Sequence, residues 1–117
     1  MADIEDMFGF RKLDVHRCAL ELLPLLYGFA SRADPETKRQ LRRATLSINL
    51  NIAEGTGRRD DDQRQFYRVA RGSALESAAV LDALRVLGLA TANEMAVAEE
   101  LLVRVVSMLT KMSNGGG

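Results

Sequence analysis

Between Lys38 and Arg58 the chain carries two interleaved stripes that only one local structure can accommodate. Gln40, Arg43, Ser47, Asn51, Glu54 and Arg58 recur at spacings of 3, 4, 4, 3 and 4. Leu41, Ala44, Ile48 and Ile52 keep a matching rhythm. At 3.6 residues per turn these sets occupy separate faces of an α-helix, whereas in a strand both would scatter across the two sides. Helical spacing of this kind recurs in three further segments, and nowhere does a clean apolar/polar alternation persist.

Start and stop signals divide the 117 residues into four helices. The first is expected from Asp14 to about Ser31, with Val15, Ala19, Leu22, Leu26 and Phe29 on its core face. Pro24 falls on its polar face, so the carbonyl of Leu20 loses its donor toward solvent, which predicts a bend and not a break. Asp34-Pro35-Glu36 combines a capping carboxylate, proline at the first helical position and an acid in the first turn. The second helix then runs to Gly55–Gly57, where glycine is expected to close it in the left-handed conformation. Asp60–Asp62 open the third, which ends near Gly88. Thr91 and Glu94 have the spacing of a capping box and open the fourth, which reaches about Met112. Ala70, Ser73, Ala74 and Ser77 are small residues that let a neighbouring helix approach closely.

Four long helices with short links predict an all-α, antiparallel up-and-down four-helix bundle. Residues 1–113 form its single domain, and 114–117 (NGGG) are expected to be a disordered tail. With four Phe, two Tyr and no Trp, the core is expected to be aliphatic.

The bundle carries more apolar surface than one core requires. Leu46, Leu50 and Ala53 form a second strip on helix two, and Leu20, Leu23 and Tyr27 lie outside the main stripe of helix one. Helix four is apolar over a wide arc, from Ala98, Leu101 and Leu102 to Val105, Val106, Met108, Leu109 and Met112. A helix in a small bundle needs an arc of roughly 100°. Surplus on three helices favours a homo-oligomer over scattered exposed aliphatics.

Sixteen basic and sixteen acidic residues cancel, so no global field draws the chain to nucleic acid or membrane. Locally the balance differs. Lys38, Arg39, Arg42, Arg43, Arg58, Arg59, Arg64, Arg68 and Arg71 are nine cations against the four acids Glu54, Asp60, Asp61 and Asp62, an excess of five. Such a cluster suits phosphate binding; a solvated charged face is the competing explanation. No aromatic ladder accompanies it, so any RNA contact is expected to be backbone-led. The polar stripe Ser47, Asn51 and Glu54 reads first as structural, bonded to another part of the bundle, and second as a recognition site. An enzymatic use of Asn51 and Glu54 has little support, and ion pairs to arginine explain Glu54 and Glu76 more simply. The lone His16 lacks a second ligand at metal spacing, no phosphate loop follows a strand, and no cofactor is implied. Cys18 reads as a small core residue in a reducing compartment. The opening MADIEDMFGF lacks the basic start and apolar run of a secretory signal, and no stretch is apolar enough to span a bilayer. A cytoplasmic location is expected.

FRKLDV (Phe10–Val15), QLRRATLSINLNIAEGTGRR (Gln40–Arg59), QFYRVARGSALE (Gln65–Glu76), LGL (Leu87–Leu89) and Met108-Leu109 together resemble a known family. It is the four-helix-bundle family named after proteins encoded in intervening sequences of 23S ribosomal RNA genes. The pattern SIxxNIAEG, here Ser47–Gly55, is its most specific element. His16 stands where the family usually has an aromatic, and Pro24 is atypical. The resemblance implies a ring-like homo-oligomer, typically a homopentamer. It is also similar to accessory proteins of diversity-generating retroelements, basic pentamers that associate with reverse transcriptase and nucleic acid. It carries over no catalytic residues. Two functions follow as expectations: a non-enzymatic homo-oligomer that binds RNA or a ribonucleoprotein, or a protein-interaction scaffold, such as an accessory subunit of a reverse transcriptase, without direct nucleic-acid binding.

Overall fold

The computed structural model describes residues 3–115; the last two residues of the expected tail, Gly116 and Gly117, lie outside them. A short helix α1 (Ile4–Met7) and a 3-10 turn (Gly9–Lys12) lead into four long helices, and no strand occurs among the described residues. These are α2 (Asp14–Ala30), α3 (Pro35–Thr56), α4 (Asp60–Val86) and α5 (Ala92–Ser113). The short N-terminal helix and turn were not foreseen.

Each long helix packs on two others, α2 on α3 and α5, and α4 on α3 and α5, which leaves the diagonal pairs apart. Cross-links between neighbours fix their directions. His16 meets Asn49, Gln63 at the start of α4 meets Gly55 at the end of α3, Arg71 meets Thr110, and Arg32 at the end of α2 meets Glu94 at the start of α5. Each pairs an early residue with a late one, so neighbours run antiparallel and the elongated body (50 × 30 × 24 Å) has two distinct poles. The α2–α3 and α4–α5 loops share the upper pole, where Arg32 reaches both the Leu89 carbonyl at 3.1 Å and the Glu94 carboxylate at 2.9 Å. The α3–α4 loop, the start of α2 and the end of α5 share the lower pole.

The caps form as their chemistry dictates. The Asp34 carboxylate accepts from the backbone of Glu36 and Thr37, both at 3.1 Å. Thr91 and Glu94 complete a reciprocal capping box at 3.2 and 2.9 Å. Gly88, at φ +76, closes α4 by accepting the left-handed conformation, with Leu89 N bonded to Leu84 O and Gly88 N to Arg85 O. One expected stop is corrected: Gly57 sits at φ −84 and Gly55 lies inside α3, so neither glycine takes the left-handed form. Gly55 serves packing instead. A Cβ there would stand 2.8 Å from Tyr67 Cε1 and 3.1 Å from Phe66 Cβ, so its bare backbone is what lets α4 approach. On the other side of that contact Ala70, Ala74 and Ser77 are buried and Ser73 is half-buried, as expected of the small-residue face.

Leu22, Leu26, Leu41, Ile48, Ile52, Leu81, Leu84, Met95 and Leu109 are fully buried, an aliphatic centre with Tyr67 and Phe29 at its margins. Cys18 is buried and free. Pro24 is exposed, and α2 runs through it unbroken. No helix among the described residues is long and apolar enough to cross a membrane.

Candidate functional site

The polar stripe of α3 lies along its outer seam with α4 and is consumed by local bonding. Ser47 Oγ accepts from Ser73 Oγ and from Asn51 Nδ2, both at 2.9 Å, and Asn51 also donates to the Ser47 carbonyl. Arg58 bonds Glu54 at 3.1 Å and Asp62 at 3.3 Å while its guanidinium stacks over Phe66, 5.1 Å from the ring centre. These acceptors hold the Arg58 charge more firmly, the Glu54 bond first among them. Gln63 reaches back to the carbonyls of Gly55 and Arg58, both at 3.0 Å, and so clips the loop to α4. Glu76 enters no ion pair among the described residues; with Gln40, Arg43, Ala44, Ser47 and Ser73 it lines a shallow polar cleft between α3 and α4. Ser47, Asn51 and Glu54 therefore brace two helices.

The nine cations do not form one patch. α3 rises about 1.5 Å per residue, so Arg43 and Arg58 stand roughly 22 Å apart along the bundle. Lys38, Arg39, Arg42 and Arg43 gather near the upper pole beside Tyr27, Pro35 and Leu46. Arg58, Arg59, Arg64, Arg68 and Arg71 gather toward the lower pole. Their partners differ as well. Arg39 pairs with Glu36 and Arg64 with Asp61, each three residues away on its own helix. The Gln40 amide first and Arg39 second hold the Glu36 carboxyl below its ordinary range, and Arg64 does the same for Asp61. Arg68 bonds only the Gln65 amide, and Arg71 donates to Thr110 Oγ1 at 2.8 Å. Arg42 lies over the Tyr27 ring at 5.2 Å with its Nε buried and unbonded. Among the described residues, Lys38, Arg42, Arg43, Arg59, Arg68 and Arg71 enter no ion pair.

A second polar feature escaped sequence reasoning. Asn49, on the buried side of α3, donates through Nδ2 to the His16 carbonyl (3.2 Å) and to His16 Nδ1 (3.1 Å), which places the ring proton on Nε2. The Phe10 ring packs edge-on against the imidazole, and Asn49 Oδ1 is buried without a partner. The one available signal was an asparagine between Ile48 and Ile52, on a face that periodicity assigns to the interior. Burial, with Arg11 nearby as a lesser cause, lowers the His16 pKa from 6.5. The unfolded chain then takes up this proton first as pH falls. The His16 contribution to stability is constant above pH 6.5, declines through the interval below it, and levels off under the folded pKa. His16→Gln keeps an acceptor for Asn49 but cannot titrate. Urea denaturation at pH 7.5, 6.5 and 5.5 is expected to show wild-type stability falling across the series and the variant's curve flatter.

Fold and site together define a class: an all-α bundle of four long helices with a hydrogen-bonded α3/α4 seam bordered by arginines. The profile of the 23S rRNA-intervening sequence protein family matches residues 11–111, and the chain belongs to that family. No curated protein matches it.

Proposed function

We propose that the protein is a non-enzymatic, cytoplasmic, self-associating bundle that binds the backbone of RNA, free or in a ribonucleoprotein, through its uncompensated arginines. One observation carries the RNA reading: among the described residues, six of the nine cations between Lys38 and Arg71 have no carboxylate partner, and Arg43, Arg59 and Arg68 of these are exposed. Free guanidinium groups on a surface release counterions when they meet phosphate, and that entropy drives sequence-independent binding. The family's association with ribosomal RNA genes points the same way. Self-association is supported by the exposed aliphatics: Leu20, Leu46 and Leu50 are 46%, 40% and 59% exposed. They lie along the edge that α2 and α3 share, where Tyr27 stacks against Arg42. Repetition in a ring-like homo-oligomer, such as a homopentamer, would multiply weak phosphate contacts.

The test is gel-shift titration of a structured ribosomal RNA fragment against salt. Wild-type affinity is expected to fall steeply between 50 and 200 mM salt. Reversing Arg43, Arg59 and Arg68 to glutamate is expected to weaken binding and to reduce the log–log salt slope by about 2 to 3, close to one unit per lost phosphate contact. Affinity indifferent to salt, or unchanged in the triple variant, refutes direct RNA binding. That result would favour the second reading, a protein-interaction scaffold or accessory subunit, which the bonding of Arg58 and Arg71 inside the bundle already suits.

A further inference from the structure

The bundle has a second exposed apolar surface on the edge opposite α2/α3. Leu75 and Ala78 of α4 and Leu102, Val103 and Val106 of α5 line a groove of about 330 Å³, with Asp82 and Glu99 at its upper end. Leu75 is 45% and Val103 65% exposed. Because α2 touches α3 and α5 but not α4, the α2/α3 and α4/α5 edges face away from each other.

We propose that the α2/α3 edge of one copy docks into the α4/α5 groove of the next, with all copies pointing the same way. This rests on the reading of the protein as a homo-oligomer and adds which two faces meet, and how.

Charge and register on the two edges match. Both α3 and α5 start at the upper pole, so positions counted from their first residues lie at similar heights. Arg42 follows Pro35 by seven positions, and Glu99 follows Ala92 by seven. Leu46 and Val103 each come eleven positions in, and Leu50 and Val106 come fifteen and fourteen in. Side by side and parallel, cation faces anion at the first of these levels and aliphatic faces aliphatic at the other two. Arg85 lies 3.4 Å from Asp82 and 4.0 Å from Glu99, so one cation serves two acids there and a negative charge remains. Toward the lower pole Arg71 of α4 reaches across to Thr110 of α5, so a cation without an ion pair among the described residues stands on the α4/α5 side there. An antiparallel arrangement would bring the Lys38 and Arg42 end of the α2/α3 edge against Arg71, cation against cation. Two different faces also make the contact heterologous, and such contacts propagate until the rotation closes a ring. Arg42 and Arg71 then serve the subunit contact, while Arg43, Arg58 and Arg59 on the α3/α4 side stay outside.

Complementation between defective copies tests this. Leu20→Glu/Leu50→Glu disables the ridge, and Leu75→Glu/Val103→Glu disables the groove; all four positions are exposed, and circular dichroism checks folding. In sedimentation at micromolar concentration the wild type is expected to be an oligomer and each double variant a monomer. Their equimolar mixture is expected to give a heterodimer that grows no further, the intact ridge of one seated in the intact groove of the other. A groove variant that keeps the wild-type assembly, or a mixture that stays monomeric, overturns the proposal while the homo-oligomer reading stands. A monomeric wild type at 100 micromolar overturns both. Should a double variant fail to fold, Arg42→Glu and Glu99→Arg decide the matter. Each is expected to weaken assembly by roughly tenfold, and the chain carrying both to recover most of that loss; no recovery overturns the pairing.

Discussion

Pro24→Ala is expected to stabilise the protein by about 2 kcal/mol. Proline inside a helix removes the bond from its own nitrogen to the carbonyl four residues back and crowds that carbonyl, at a cost of roughly 3 kcal/mol. Here α2 runs from Asp14 to Ala30 with Pro24 in its middle and exposed, so the Leu20 carbonyl faces water in place of a donor. Alanine restores the donor without touching the core. The gain is reduced by roughly 0.4–1 kcal/mol, because proline also restricts the unfolded chain. For a chain of this size the balance corresponds to a rise in Tm of about 8 °C. Urea and thermal denaturation followed by circular dichroism give the answer, and a variant no more stable than wild type would contradict this account of α2.

Gly55→Ala is expected to act in the opposite sense, with a loss of about 1–3 kcal/mol. At most helical positions alanine outranks glycine by roughly 1 kcal/mol, because it restricts the unfolded backbone. Gly28 and Gly72 are such positions, exposed and helical, with nothing within 4 Å of an added Cβ. Alanine at either is expected to stabilise by about 0.5–1 kcal/mol. At Gly55 the methyl group would stand 2.8 and 3.0 Å from the buried Tyr67 ring. Either the ring leaves its rotamer or α3 and α4 separate, and both carry the cost of overpacking. Tyr67→Leu removes the obstructing ring atoms, so the Gly55→Ala/Tyr67→Leu protein is expected to lose less than the two single losses added together. Three glycine-to-alanine variants with one sign reversed would separate close approach from helix propensity; stabilisation at all three would contradict the packing role of Gly55.

The same contrast shows which parts of the molecule the amino-acid order makes legible. Helix ends were readable at Asp34-Pro35, at Thr91 with Glu94 and at Gly88, because a cap is satisfied within four residues of itself. Burial of Leu22, Ile48 and Ile52 was readable because periodicity records the core direction of each helix separately. The role of Gly55 was not, since the ring that requires a bare backbone belongs to another helix. For the same reason Asn49 looked like one more polar residue, although its partner His16 lies 33 positions away. The basic segment misled differently. Lys38 through Arg71 are close in the chain, but a rigid 22-residue α3 holds its two ends about 33 Å apart. Of the surplus apolar residues of helices one and two, Leu20, Leu46 and Leu50 are exposed while Leu23, Tyr27 and Ala53 are half-buried. The wide arc of helix four was not surplus, since Ala98, Leu101, Leu102, Val105 and Leu109 are buried in the core. The groove opposite draws Leu75 and Val103 from separate helices, and neither is conspicuous within its own.

With an even number of long helices, the chain leaves the body at the end where it entered. Leu13 and Val15 at the start of α2 line one hollow with Met108 and Met112 near the end of α5. A short tether could therefore join the two ends, and new ends could be cut in the loop between Gly88 and Ala90, which inverts the polarity of attachment while every helix keeps its neighbours. A fluorophore placed at the start of α2 or at the end of α5 marks the same extremity, whereas one at the permuted ends marks the other, so the two extremities can be labelled independently.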